Sequence, residues 1–337
     1  MAMPLPRRVA IPTLSAMPRA APVGGRIQEL SGTTMGTTWS VKFVGSAASR
    51  QTLGRMIPLA LGRVIAQMSP WEEHSDISRF NRLTVNQWQT LPPEFFKVMA
   101  CALRVARESS GAYDPTFGAL IDLWGFGPSG PRTEVPASGE IVARHRACGW
   151  QQLDLDAASH RMRRSGGGAI DLCGIAKGFA VDLVMETLRQ HGLHHALVEI
   201  GGELRGSGVK SDGSPWWVEI DQSARISAGS LSPTLVALHD LAIATSGCER
   251  GFASTTGHFS HTLDPHTGWP IANGMIGATV LHESCMEADA YATALMVLGP
   301  DAAIDFATAH RLAAVILFER NGRLTEHTTP MLDRMLS

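Results

Sequence analysis

The chain has 337 residues, 44% of them hydrophobic and 18% charged, with a formal net charge of -2. That composition excludes a disordered chain, and the near-neutral balance excludes bulk attraction to nucleic acid or to an anionic membrane, although a local basic pocket remains open. No run of about 18 uninterrupted apolar residues marks a membrane span, and the five scattered cysteines lack the paired spacing of zinc or redox motifs.

Residues 1–25 are rich in Pro and Ala and read as a poorly ordered lead-in, with one domain expected over 26–337. Pro12 interrupts the mildly apolar run after Arg7-Arg8, so the start lacks a secretory apolar core, and no cysteine there offers a lipid anchor. A cytoplasmic address is the expectation. Trp39 to Val44 alternates as a strand, and residues 51–68 and 92–109 carry helical periodicity, the second opened by Pro92-Pro93. The polar stretch 68–81 reads as a loop with a short helix, and the Gly/Pro-rich stretch 111–131 as an ordered functional loop. From 150 onward, strands are predicted at 150–155, 160–164 and 168–172, then a helix at about 174–191. Further strands follow near 195–200, 203–208, 215–221, 234–238, 241–245 and 276–281. Helices at 286–298 and 300–309 precede a buried strand at 313–318, with 322–327 pairing to it. Groups of strands separated by inserted helices predict an α+β fold with mixed and antiparallel sheets.

Two distant segments carry the chemistry. In Asp171-Leu-Cys-Gly-Ile-Ala-Lys-Gly178 a glycine turn opens onto a helix with Lys177 in its first turn. Free N–H groups and a lysine there suit an anionic phosphate, although a plain strand–turn–helix corner would look similar. In Glu287-Ala-Asp-Ala-Tyr-Ala-Thr-Ala294, Asp289 and Thr293 stand four apart and share a helix face. Hard oxygen ligands beside a phosphate-friendly turn are what a magnesium-assisted attack on a phosphoanhydride requires. His261, before the turn at Asp264-Pro265, is a candidate general base or phosphate contact. Asp114 either caps a helix or holds an adenine amino group, and Met35 and Trp71 offer apolar walls to an aromatic ring.

Seven segments fall in one order: Thr34-Met-Gly-Thr-Thr-Trp39, Ser75-Asp-Ile-Ser-Arg-Phe-Asn81, Gly111-Ala-Tyr-Asp-Pro115, Leu123-Trp-Gly-Phe-Gly127, Asp171 to Gly178, Ser260-His-Thr-Leu-Asp-Pro-His-Thr-Gly268 and Met286 to Thr293. In that order they resemble the FAD:protein FMN transferases, the ApbE family. The resemblance implies an α+β flavin transferase fold that binds FAD and Mg2+. It implies transfer of the FMN moiety to a Thr or Ser hydroxyl of an acceptor protein, through a phosphodiester bond, with release of AMP. It places the metal on Asp289, Thr293 and the Gly174 carbonyl, and the flavin nucleotide on Met35, Trp71, Ala112, Tyr113, Asp114, Asp171, Lys177 and His261. His261 is the first choice for the base that deprotonates the acceptor and Asp171 the second, with Lys177 stabilising charge on the phosphates. Many relatives of this kind are exported, which leaves a periplasmic address open, and a monomer or dimer is expected. Glu203 stands where the resemblance leads one to expect asparagine or aspartate, and reads as a matter of local turn structure. Alternatives are a Mg2+-dependent FAD diphosphatase, with water in place of the acceptor, and a non-catalytic flavin-binding protein.

Overall fold

A computed structural model of the chain describes residues 8–12, 20–22, 25–220, 233–248, 251–254 and 257–336. Part of the segment expected as an unstructured lead-in is built into a sheet. Strand β1 (Arg8–Ala10) pairs in parallel with a strand more than two hundred residues later, and Ala10 is fully buried. Strands β2 (Arg26–Thr34) and β3 (Thr37–Gly45) form a hairpin whose two turn residues, Met35 and Gly36, have φ of 46° and 71°. Positive φ at both central positions is the turn that matches the right-handed twist of paired strands. β2 was not legible as a strand because it lies at the edge of its sheet and buries only its last residue, so its apolar alternation is weak.

Helix α1 (Ala47–Met68) starts at the Ser46 cap, and α2 (Asp76–Arg82) starts at the Ser75 cap, whose hydroxyl accepts the Ser78 N–H. Strand β4 (Gln89–Thr90) leads to α3 (Pro93–Glu108). The Gly/Pro-rich stretch expected as loop holds α4 (Gly118–Leu123), and α5 (Ser138–Ala147) follows. α5 buries only Ile141, so it carries no apolar stripe to read. Strands β5 (Leu153–Asp156) and β6 (Arg161–Arg164) join β4 in a three-stranded sheet. The strand predicted at 168–172 is absent as a ladder. Only Ala169 forms a bridge, to Phe117, and the rest of the segment pairs with no strand among the described residues.

Helix α6 (Ala176–Gln190) is followed by β7 (Ala196–Ile200), β8 (Glu203–Ser207), β9 (Trp216–Glu219), β10 (Thr234–Leu238), β11 (Leu241–Gly247), β12 (Gly251–Ser254), β13 (Gly257–Ser260) and β14 (Met275–His282). Helices α7 (Cys285–Leu298) and α8 (Pro300–Ala309), strands β15 (Ala313–Arg320) and β16 (Arg323–Thr328), and the short α9 (Pro330–Asp333) complete the chain. The central sheet is antiparallel throughout, in the order β16-β15-β14-β11-β8-β7-β3-β2.

The alternating side chains of this sheet feed two cores. Ala314, Ile316 and Phe318 of β15 face the layer of helices, while Ala313 and Val315 face the small sheet β1-β10-β9. This accounts for the unbroken apolar run, since a strand covered on both faces has no polar side to show. A satellite cluster of Phe117, Leu120, Trp124, Ile141 and Leu263 lies under the glycine-rich loop, and the Trp124 indole N–H donates to the Gly268 carbonyl at 3.0 Å. Among the described residues no helix is long and apolar enough to cross a membrane.

Candidate active site

Two helices built for close approach bring the distant motifs together. α7 is lined with alanines and buried on nearly all sides, which lets α6 lie directly against it. The contact point is Gly178: a Cβ there would sit 2.3 Å from the Cys285 carbonyl oxygen, so no larger residue fits. Asp182 of α6 fixes the pair by accepting from the Ser284 hydroxyl (2.8 Å) and from the Cys285 and Met286 N–H groups (both 3.1 Å), the free donors at the start of α7. One turn up α7, Asp289 Oδ2 accepts the Gly178 N–H at 3.0 Å. One turn further, Thr293 meets the glycine turn that opens α6. A Cβ on Gly174 would lie 2.7 Å from Thr293 Oγ1, and Ser246 of β11 stands 3.3 Å from the same hydroxyl.

All eleven residues singled out from the sequence line one cavity of about 1380 Å³. Ordinary small-molecule clefts are about 300–1,000 Å³, so there is room for an extended dinucleotide. Met35, in its hairpin turn, and Trp71, 54% exposed after α1, both line the cavity. Ala112 and Tyr113 follow the end of α3, where the Tyr113 N–H donates to the Ser109 hydroxyl at 3.1 Å. Burial, with Asp289 and Asp171 nearby, pushes the Tyr113 phenol well above its usual range. Asp114 is not a helix cap. Its Oδ1 accepts the Thr116 N–H (2.8 Å) and hydroxyl (2.7 Å), and its Oδ2 accepts the Trp150 N–H (3.0 Å), an Asx turn that ties two loops together at the cavity wall. His261, half-buried just past β13, meets Phe126 edge-on with ring centroids 6.3 Å apart.

Asp171 is positioned from outside the cavity. The Asn81 side chain clamps the preceding residue at both ends, accepting the Ile170 N–H at 2.7 Å and donating to its carbonyl at 2.9 Å. Asn81→Ala leaves that buried peptide unit without partners and is expected to cost about 1–3 kcal/mol for each unsatisfied group, read as a lowered thermal midpoint. Asp171 Oδ1 then accepts the Cys173 N–H at 2.9 Å and Oδ2 the Cys173 thiol at 3.3 Å. Cys173 is open to the cavity yet walled by protein, and that confinement with Asp171 beside it pushes its thiol far above the usual range. The ordered turn was legible; the thiol's attachment to Asp171 was not.

The carboxyls of Asp171, Glu203 and Asp289 are all raised by burial, and Lys177 is paired with Glu203. Glu203, read from the sequence as a turn residue, is 2% exposed and lines the same cavity. Of these acids Glu203 and Asp289 lie beside the lysine, Glu203 as its ion-pair partner and Asp289 through the Gly178 N–H that follows it. Among the described residues no three His, Cys, Asp or Glu side chains cluster as a metal site. A single carboxylate with a hydroxyl and a carbonyl fits instead a hard cation that takes its other oxygens from water and phosphate.

Among the described residues, a dinucleotide-sized cavity thus carries a lysine at a helix start and hard oxygen donors opposite it, the features of a nucleotide-binding protein. The model of the ApbE family matches residues 35–316, and the chain belongs to that family. It is 35% identical to the FAD:protein FMN transferase of Vibrio cholerae, over 91% of this chain and 92% of that protein. It is 34% identical to the Haemophilus influenzae protein of the same name, over 90% of each. Among solved structures, the flavinyl transferase ApbE of Pseudomonas stutzeri superposes with a TM-score of 0.84 at 33% identity, covering 92% of this chain and 97% of that one. The flavin transferase ApbE of Vibrio cholerae gives the same TM-score and identity, with 92% and 99% coverage.

Proposed function

We infer that this chain transfers the FMN moiety of FAD to a target protein. The observation that carries the reading is the meeting of Gly174, Lys177, Asp289 and Thr293 in one cavity large enough for FAD, in a chain whose relatives are named for that reaction. Asp289, Thr293 and the Gly174 carbonyl would hold Mg2+, which when bound withdraws charge from the pyrophosphate oxygens. Met35 and Trp71 flank the flavin ring. Lys177 adds positive charge where negative charge spreads during transfer, and removing a contact of that kind costs about 10²–10³ in rate. His261 takes the proton of a Thr or Ser hydroxyl on the acceptor. That oxygen bonds to the FMN phosphorus, the anhydride P–O bond breaks, and AMP leaves with the electron pair. Asp171 is the weaker candidate for the base, because both its oxygens are held by Cys173.

Mass spectrometry tests this directly. Incubation with FAD, Mg2+ and a Thr-bearing acceptor protein is expected to add one FMN to the acceptor, with an equal amount of AMP. AMP and free FMN without an adduct would instead identify a diphosphatase, and unchanged FAD a flavin-binding protein.

A further inference from the structure

Glu203 occupies a position that the reaction scheme above leaves unused. It opens β8 directly after the turn Gly201-Gly202, whose φ values of 60° and 99° suit glycine. Ile200 pairs with Glu203 across that turn, so the carboxylate is fixed by the central sheet. One oxygen, Oε1, pairs with the Lys177 ammonium, while Oε2 is buried and has no hydrogen-bond partner among the described residues. A buried carboxylate with an orphaned oxygen is costly and calls for an explanation.

Lys177 supplies one. Its ammonium pairs with Glu203, and the N–H of the next residue, Gly178, donates to Asp289 Oδ2 at 3.0 Å, so both carboxylates stand beside it in the cavity wall. The two carboxylates, each 3% exposed or less, therefore compete for one ammonium. Asp289 is also the only carboxylate of the cation site described above. An ammonium seated on Asp289 would take the lone pairs that a divalent cation needs, and its charge would repel that cation.

We propose that Glu203 is a positioning residue that draws Lys177 toward the sheet and off Asp289, keeping that carboxylate free for a divalent cation. The proposal rests on the reading of Asp289 as a cation ligand. It also accounts for a glutamate here, since the longer side chain reaches Lys177 from the strand.

A double-mutant cycle on cation binding tests it, using Mn2+ alone with the full chain and counting bound ion by its paramagnetic signal. With Lys177 present, Glu203→Ala is expected to weaken Mn2+ binding by about tenfold or more. In the Lys177→Ala background the same change is expected to cost less than about threefold, because no ammonium is left to wander. An equal loss in both backgrounds would show that Glu203 acts through its charge alone or as a ligand, and would overturn the proposal. So would equal binding by wild type and Glu203→Ala, including no binding by either. Should Glu203→Ala fail to fold in a thermal melt, Glu203→Gln passes through the same cycle with the same criteria. Flavin transfer by the wild type, followed in parallel, separates the two readings. A labelled acceptor with an additive cycle sinks only the role of Glu203, whereas no label sinks the transferase reading itself.

Discussion

Asp289→Asn is expected to lower flavin transfer at saturating Mg2+ by about 10²–10³ or more, the usual scale for losing one electrostatic contact to a transition state, while the protein stays folded. Asp289 is only 3% exposed and accepts the Gly178 N–H. Alanine would therefore strand a buried donor and confuse lost chemistry with lost packing. Asparagine keeps the size and the accepting oxygen and removes only the charge. Burial raises the Asp289 carboxyl, with Lys177 and the Gly178 N–H pulling the other way. Burial makes that charge costlier in the fold than in water, so without a divalent ion the asparagine variant should melt no lower than wild type. The adduct-forming rate and the melt without Mg2+ are the two measurements. Activity within a few-fold of wild type would remove Asp289 from the cation site.

Gly178→Ala is expected to give the largest loss of stability of any single methyl addition in the helix layer. The new Cβ would meet a carbonyl oxygen at 2.3 Å and the Asp289 Cβ at 2.8 Å, and backbone cannot swing aside as a flexible side chain can. Overpacking of this kind costs about 1–3 kcal/mol and sometimes more. At about 2–4 °C per kcal/mol for a chain of this order, the midpoint should fall by several degrees. Because α6 carries Lys177 and α7 carries Asp289 and Thr293, wedging the helices apart should also raise the Mg2+ needed for transfer. Gly62→Ala is the control: this exposed glycine of α1 has nothing within 4 Å of an added Cβ. It should gain about 0.5–1 kcal/mol from better helix propensity. If the two variants melt alike, the close approach at Gly178 carries no energetic weight.

The helix-bearing half of the fold was legible because periodicity records burial. α3, α7 and β15 each show the spacing or the unbroken apolar run that their surroundings demand. The eleven candidate residues were found through short motifs, and all line the cavity. What escaped were elements that bury little. β2 is an edge strand, β4 has two residues, and α5 buries one side chain, so none leaves a pattern in its composition. Glu203 escaped for a different reason. A sequence shows that an acid follows two glycines, but not that the strand turns it into the protein, where Lys177 is its partner. Asp114, read from the sequence as a helix cap or an adenine contact, forms an Asx turn instead of a cap, and the two use the same residue types.

The short first strand has a practical side. Arg8 to Ala10 completes the small sheet on the side of β10, Ile11 donates its N–H to the Met335 carbonyl at 2.7 Å, and Arg8 forms an ion pair with Glu326. Anyone trimming the chain to a tidy start near residue 25 would therefore uncap a ladder of hydrogen-bonding groups along β10 and unpin the last helix. Bare strand borders of that kind invite another molecule to zip on, so such a shortened protein would be recognised first by its tendency to aggregate, before any defect in flavin chemistry was noticed.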